Sequence, residues 1–223
     1  MRDIKSHQRV NEILLAPLER PALQWFAAHM PAWINSDILT AIGLLGSVII
    51  FFSYWLTNID KNFLWLASLG FVINWFGDSM DGTLARYRNA QRPRYGFFVD
   101  HTFDSLSQVL VFMGLGLSPY VRFEVASLAL TGYLLMSILV YVRTCVNGVF
   151  KISYLGIGPT ELRLIAILTN TIVYFTGNLV IRFSWGSIAL FDMIGTAAAI
   201  LLIGAFIVST LRQANELSKQ EQP

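Results

Sequence analysis

Charge is scarce in this sequence. Lysine, arginine, aspartate and glutamate make up 13% of the 223 residues, whereas a soluble domain carries roughly 25%. Hydrophobic residues account for 55% of the chain, and the mean hydropathy is +0.56. This balance argues against an ordinary soluble domain and favours a membrane protein. With a net charge of only +2, we expect no nucleic-acid partner.

Other common features are also missing. The one cysteine, Cys145, excludes a disulfide within the chain. Internal repeats and low-complexity segments are absent. The N-terminus is polar and mixed in charge, without a short apolar core and a small-residue cleavage site, so we expect no cleavable signal peptide. The hydrophobic segments within the chain are therefore expected to direct it to the membrane.

Long hydrophobic runs are present instead. A spanning helix needs about 20 mainly apolar residues. Six segments qualify as candidates, at residues 38–57, 63–78, 97–118, 125–141, 164–181 and 187–210. The second and third are interrupted by carboxylates. The sequence thus predicts an all-α, polytopic membrane protein with six transmembrane helices, in which residues 37–212 form the membrane domain and 213–223 a cytoplasmic tail.

The segment before the first span has a different pattern. Apolar residues recur at helical spacing between residues 9 and 30, with polar residues such as Glu12 and Glu19 between them. This pattern predicts an amphipathic helix lying in the membrane interface, within an N-terminal segment of residues 1–36. A solvated arm packed on the cytoplasmic face is the alternative. Pro17 and Pro21 are expected to bend or break the helix.

The distribution of basic residues predicts the orientation. If the N-terminus is cytoplasmic, the outward loops carry only Lys61, Arg122 and Arg182. The inward side then carries Arg86, Arg88, Arg92, Arg94, Arg143, Lys151, Arg163, Arg212 and Lys219. This asymmetry obeys the positive-inside rule. It places both termini and the acidic motif described next on the cytoplasmic side, of the plasma or inner membrane if the protein is prokaryotic.

Four aspartates lie where the second and third segments approach each other in sequence. On one predicted helix a single stripe contains Asp78, Asp81, Gly82 and Ala85. On the next, positions i, i+4 and i+8 are Gly96, Asp100 and Asp104. A short basic loop joins the two helices, so we expect antiparallel neighbours. If the stripes face each other, the four carboxylates converge.

Converging carboxylates need compensating charge, which divalent cations supply. All-oxygen ligation suits Mg²⁺ or Mn²⁺, with Ca²⁺ as an alternative, and no Cys/His cluster suggests zinc. Two such ions about 4 Å apart can bridge a pyrophosphate. Gly82 and Ala85 would let the pyrophosphate approach the backbone, and Arg86 would pair with a phosphate oxygen. His101 is expected to turn away from the acids and to serve packing.

Each of these residues also has an ordinary structural explanation. An Asp-Gly pair commonly forms a turn, and a carboxylate at a helix end is commonly a cap. Gly82, Ala85 and Gly96 could simply allow close helix packing. The joint pattern of residue types and spacings favours the metal site.

The eight fixed positions resemble the signature of the CDP-alcohol phosphotransferase family. That signature is D-x2-D-G-x2-A-R, a short spacer, and G-x3-D-x3-D, and every fixed residue is present here. The resemblance implies a membrane transferase of phospholipid biosynthesis, commonly a homodimer. An acceptor hydroxyl would attack a CDP-linked alcohol at the phosphorus distal to cytidine, and CMP would leave.

The resemblance also implies roles for individual residues. It makes Asp78, Asp81 and Asp100 ligands of two Mg²⁺ or Mn²⁺ ions, and Asp104 the catalytic base, also close to a metal. The CDP moiety would be bound by Gly82, Ala85 and Arg86. Residues 35–40 resemble a degenerate Pro-Asn-x-x-Thr segment of the family, with Ser36 in place of Asn or Pro. This adds Thr40 to the substrate site, together with Gly96.

The identity of the joined alcohols stays open between two branches of the family. The segments Tyr141–Arg143 and Glu161–Arg163 resemble the basic acceptor pocket of members that use inositol phosphate with a CDP-diacylglycerol-type donor, and Lys151 is a further candidate for this pocket. Positive-inside anchoring explains Arg143, Lys151 and Arg163 equally well. The segment ending at Glu161 resembles one in aminoalcohol phosphotransferases, which use CDP-choline or CDP-ethanolamine and a lipid alcohol. An ordinary helix start is the alternative for that segment.

We expect the CDP-diacylglycerol-type donor, because the modest chain length resembles the compact prokaryotic branch. A membrane transporter or channel is the rival from another class, since acidic residues within a membrane also line ion paths.

Overall fold

The computed structural model describes residues 15–147, 158–183 and 186–220. Within them the chain forms helices and one short hairpin. In chain order the elements are α1 Ala16–His29, α2 Ser36–Leu56, α3 Phe63–Tyr87, α4 Pro93–Gly116, α5 Phe123–Asn147, α6 Pro159–Thr176, β1 Val180–Phe183, β2 Gly186–Ala189 and α7 Leu190–Gln220. The all-α prediction is therefore confirmed for the described residues, apart from the hairpin.

Three of these helices are long and apolar enough to cross a membrane. They are α2, residues Phe123–Val146 of α5, and α7, with hydropathies of 2.0, 2.0 and 2.3. By the same criterion α3, α4 and α6 do not qualify, because polar residues interrupt them, including Asp81, Asp104 and Arg163. Spanning by those three helices stays a prediction.

Helices α2 and α3 pack against each other through glycines. A Cβ atom built on Gly77 would lie 2.3 Å from the backbone nitrogen of Gly43 and 2.5 Å from the carbonyl oxygen of Leu39. A Cβ atom built on Gly46 would lie 2.5 Å from the backbone nitrogen of Asn74. The side-chain amide of Asn74 in turn donates a hydrogen bond to the Gly43 carbonyl at 3.0 Å. Small residues allow such close approach of membrane helices. The contact fixes the end of α3 that carries the acidic motif against the start of α2.

A buried polar network joins α2, α3 and α6 deeper in the bundle. The Tyr54 hydroxyl donates to the side-chain oxygen of Asn170 at 2.9 Å, and the Asn170 amide donates to the Ser68 hydroxyl at 3.2 Å. Buried polar groups are costly unless they are hydrogen-bonded. The hydrogen bonds among these three residues therefore help to fix the packing of α6 against α2 and α3.

The region predicted as the junction of the fifth and sixth spans contains a hairpin. Helix α6 ends at Thr176, because Gly177 has φ +73°, a conformation that side-chain-bearing residues rarely adopt. Strands β1 and β2 then pair antiparallel, with Val180 opposite Ala189. The predicted ends of the spans at residues 181 and 187 therefore fall on strands, and α7 begins only at Leu190.

The amphipathic N-terminal helix is present as α1. Pro17 lies in its first turn, and the helix continues through Pro21 to His29, so the break expected at Pro21 does not occur. Pro21 has no N–H to donate to the carbonyl of Pro17, so α1 lacks one hydrogen bond of its ladder there but continues past it. One face of α1 buries Leu23 and Ala27, while Leu18 is 76% exposed. Residues 9–14 of the predicted segment lie outside the described residues.

The glycine contact gives a stability prediction. Gly77→Ala should lower the unfolding temperature of the protein in detergent, because the added methyl group meets α2 backbone and overpacking costs about 1–3 kcal/mol. Gly204→Ala on α7 is the matched control, since its Cβ would meet nothing within 4 Å. The control should unfold at or slightly above the parent temperature. Equal unfolding temperatures for the two variants would contradict the packing argument.

Candidate active site

The acidic motif lies at one end of a cavity of about 820 Å³. Helix α3 brings two aspartates to it and α4 brings the other two, because the turn between Tyr87 and Pro93 reverses the chain. All four line the cavity: Asp78, Asp81, Asp100 and Asp104. The expectation that the four carboxylates converge agrees with this arrangement, but α3 and α4 are not closely packed neighbours, because α4 packs mainly against α2 and α5.

Contacts among the acids show how close they are. Asp104 interacts electrostatically with both Asp78 and Asp81. Asp100 interacts electrostatically with all three of the other aspartates. Like charges this close repel one another, so the site requires positive charge nearby.

Arg163 supplies part of that charge from α6. Its guanidinium donates to Oδ2 of Asp78 at 2.7 Å, and its side chain is only 10% exposed. Such a charge-assisted hydrogen bond is among the stronger contacts in proteins. The contact brings the beginning of α6 into the site and places Arg163 beside the acids, whereas its role in acceptor binding stays a prediction.

Asp81 is held by its protein neighbours. The Thr40 hydroxyl donates to its Oδ2 at 2.7 Å, and the backbone N–H of Gly82 donates to its Oδ1. The Ser36 hydroxyl donates to the backbone carbonyl of Asp81 at 2.7 Å. Asn35 caps α2 by accepting from the N–H of Ile38, which fixes the helix turn carrying these hydroxyls.

His101 contradicts the sequence-based expectation. Its Nδ1 lies 3.8 Å from Oδ2 of Asp100 and 4.0 Å from Oδ2 of Asp104. The ring also packs against Phe97 and Tyr141, at centroid distances of 4.3 and 5.4 Å. Helical spacing directs the Cβ of His101 away from the acids, but the side chain is long enough to return. The expectation that His101 turns away from the acids was therefore wrong, although the ring does pack against aromatic neighbours.

The cluster suits a divalent cation. Ligand atoms of Asp100, His101 and Asp104 lie within 4.8 Å of one another. Carboxylate oxygens, supplemented by Asp78 and Asp81 in the same cavity, are the ligands that Mg²⁺ and Mn²⁺ prefer. The histidine adds a nitrogen donor that the predicted all-oxygen set did not include.

Two of the three residues expected to bind CDP line the cavity. Gly82 and Arg86 line the cavity, and the Arg86 guanidinium lies 3.2 Å from the Thr83 hydroxyl. Ala85 lies beside them on α3, partly buried, but is not among the described lining residues. Gly96 is exposed, and a Cβ there would meet nothing within 4 Å. Its role in substrate binding stays a prediction.

Of the residues predicted for the acceptor pocket, Arg163 lies beside the acids, whereas Arg143 and Glu161 make contacts elsewhere. Arg143 donates to the carbonyl of Ser209 on α7 at 3.5 Å and is not among the described lining residues. Lys151 lies outside the described residues. Glu161 is buried and caps α6 by accepting from the N–H of Gly158 at 2.9 Å, and it also accepts from the N–H of Leu15 at 3.0 Å. The helix start accounts for one oxygen of Glu161 and the contact with Leu15 for the other, and its role in substrate binding stays a prediction.

Sequence reasoning missed Glu19 on α1. Its Oε1 accepts hydrogen bonds from Trp75 Nε1 at 2.8 Å, Ser79 Oγ at 3.0 Å and Thr160 Oγ1 at 3.1 Å. This carboxylate therefore ties α1 to α3 and α6 at the wall of the cavity. Its partners are 56, 60 and 141 residues away in sequence, so no local pattern could have indicated them.

Comparison with known proteins gives consistent matches. Residues 33–217 match a family model described as CDP-alcohol phosphatidyltransferase. An archaetidylinositol phosphate synthase of Pyrococcus horikoshii is 32% identical over 104 residues, which cover 47% of this chain and 52% of that protein. Cholinephosphotransferase 1 of Mus musculus is 32% identical over 130 residues, 55% of this chain and 32% of that protein. The aligned part thus spans about half the first relative and a third of the second.

A metal-binding prediction follows from the cluster. Asp100→Asn should weaken Mn²⁺ binding at least tenfold, about 1.4 kcal/mol, because it removes a charged ligand from the site. Calorimetric titration of the detergent-solubilised protein measures this directly. Asp37→Asn is the control, since that carboxylate pairs with Arg92 on the surface. Unchanged Mn²⁺ affinity in the Asp100 variant would argue against the site.

Proposed function

The chain belongs to the CDP-alcohol phosphatidyltransferase family, which confirms the resemblance found in its motif. From that premise we propose that it joins a CDP-activated alcohol to an acceptor hydroxyl and releases CMP, in phospholipid biosynthesis. The observation that carries the proposal is the meeting of the four aspartates in one cavity. Family membership favours this transfer over the transporter alternative.

The shape of the cavity supports a lipid substrate. Beyond the acids, its wall is formed by apolar side chains of α4, α5 and α7, including Phe112, Leu115, Ala129, Met136, Ile194 and Leu201. Such a surface accommodates hydrocarbon chains, whereas the acidic end accommodates metal-bound phosphate. A substrate with a phosphate group and an alkyl chain fits both ends.

The chain's own residues can perform the transfer. Asp104 takes the proton of the acceptor hydroxyl while the oxygen bonds to the phosphorus distal to cytidine. The bond between that phosphorus and the bridging oxygen breaks, and CMP leaves with the bridging oxygen. Asp78, Asp81 and Asp100 would hold the divalent ions, which neutralise phosphate charge when bound. Asp104 is suited to the proton transfer because its side chain is 42% exposed and lines the cavity.

Positively charged residues orient the phosphates in this proposal. Arg86 lies on the same stripe of α3 as the acids and would contact the CDP moiety beside Gly82. The small side chain of Ala85 would leave space for the CDP moiety beside this turn of α3. Arg163, already paired with Asp78, would contact an anionic group of the second substrate.

The donor is proposed to be of the CDP-diacylglycerol type, with a soluble acceptor. The match to an archaetidylinositol phosphate synthase supports this choice. The alternative is a CDP-choline or CDP-ethanolamine donor with a lipid alcohol, which the match to cholinephosphotransferase 1 favours. The cytoplasmic orientation rests on the basic residues beside the acids, and the homodimer stays a prediction of the resemblance.

Asp104→Asn should strongly slow CMP release, because the amide cannot accept the acceptor's proton. General bases contribute about 10²- to 10⁴-fold to rate, so residual turnover should fall within that range below the parent. Glu124→Gln is a matched acid-to-amide control on the surface, where that side chain is 74% exposed. Asp104→Asn should unfold in detergent at the same temperature as the parent protein. Turnover close to that of the parent would refute the assignment.

The substrate pair is tested by a panel assay. Membranes containing the protein would be offered radiolabelled CDP-diacylglycerol, CDP-choline and CDP-ethanolamine, each with soluble and lipid alcohol acceptors. We expect product from CDP-diacylglycerol with a soluble acceptor, and none after thorough chelation of divalent ions. Product from CDP-choline or CDP-ethanolamine with a lipid alcohol would select the alternative, and full activity after chelation would remove the metal from the proposal.

A further inference from the structure

Asp81 differs from the other aspartates of the motif in how the protein holds it. Both of its carboxylate oxygens receive a hydrogen bond, Oδ2 from the Thr40 hydroxyl at 2.7 Å and Oδ1 from the backbone N–H of Gly82. Asp81 is 8% exposed, so these bonds are largely shielded from water. The carboxylate plane is therefore fixed from two sides.

The Thr40 hydroxyl has a choice of two acceptors. It lies 2.7 Å from Oδ2 of Asp81 and 3.1 Å from the carbonyl oxygen of Ser36. It carries a single proton, and hydrogen bonds to ionised acceptors are shorter and stronger. The proton therefore belongs to the bond with Asp81. It is not available to donate to a substrate.

The position of Thr40 is fixed by the fold. It lies in the second turn of α2, after the Asn35 cap, and the glycine contact between α2 and α3 brings that turn against the acidic end of α3. The Ser36 hydroxyl, one turn earlier, binds the backbone carbonyl of Asp81. Two hydroxyls on one helix thus hold the side chain and the backbone of the same residue.

We propose that Thr40 is a positioning residue that orients the Asp81 carboxylate for a divalent cation. This differs from the nucleotide contact that the resemblance implied for Thr40, and Thr40 is not among the described residues that line the cavity. Hydrogen-bond partners of metal ligands fix ligand orientation, and their loss typically costs 10- to 100-fold in metal affinity. The inference rests on the metal-dependent transfer proposed above.

The test compares Thr40→Val with Thr40→Ser in the full-length protein in detergent. Valine keeps the shape and removes the donor, whereas serine keeps the donor. Calorimetric titration with Mn²⁺, without any substrate, should show affinity weakened about 10-fold or more in Thr40→Val. Thr40→Ser should stay within about twofold of the parent, as expected when only the hydroxyl matters. Ser36→Ala is a further control, because it removes a hydrogen bond to the backbone carbonyl of Asp81 and leaves both hydrogen bonds to the Asp81 carboxylate in place.

The outcomes separate this inference from the proposed function. Parental Mn²⁺ affinity in Thr40→Val, with a raised KM for the CDP-linked donor, would overturn it in favour of a nucleotide contact. Equal weakening in Thr40→Val and Thr40→Ser would overturn it as a packing effect. If the parent binds no Mn²⁺, the metal-dependent function fails as well. If the parent binds Mn²⁺ and releases CMP while Thr40→Val binds like the parent, only this inference fails.

Discussion

The near-contact of two helix backbones is the constraint on which the candidate site depends. Gly43 and Gly46 on α2 face Gly70 and Gly77 on α3, with no room for side chains between them. The approach brings the hydroxyls at the start of α2 within hydrogen-bonding distance of Asp81. Without it, α3 would still carry its aspartates, but nothing would hold one of them in a fixed orientation.

Electrostatic repulsion among the four aspartates is the second constraint on the site. Four carboxylates from α3 and α4 share one end of a cavity whose walls on α5 and α7 are largely apolar. Arg163 from α6 offsets part of this charge through Asp78. The remaining repulsion makes the site a strong attractor of divalent cations, because their binding relieves it.

How much of this could be predicted from the sequence depends on whether the information was local. The acidic motif was found because helical spacing alone places its residues on two stripes, and the helices α2 to α5 follow from apolar runs. The end of α6 at Thr176 was missed because it depends on the left-handed conformation of Gly177 and on strand pairing beyond it. His101 was misjudged because spacing gives the direction of Cβ but not the course of the side chain. Arg143 and Glu161 matched a family pattern in type, yet their contacts serve helix ends and helix packing.

The hydrogen-bond partners of each acid separate structural from functional carboxylates. Glu19 accepts from three donors, and Glu161 has both oxygens bound to backbone N–H groups. These bonds join separate helices or cap a helix start, so they give both carboxylates a structural role. The neighbours of Asp100 and Asp104, by contrast, are mainly other carboxylates together with His101. An arrangement that costs free energy in the empty protein and is relieved by a cation is what a binding site requires. Asp81 combines features of both groups. It is proposed as a metal ligand, and its carboxylate is already oriented by a hydrogen bond from Thr40 on α2.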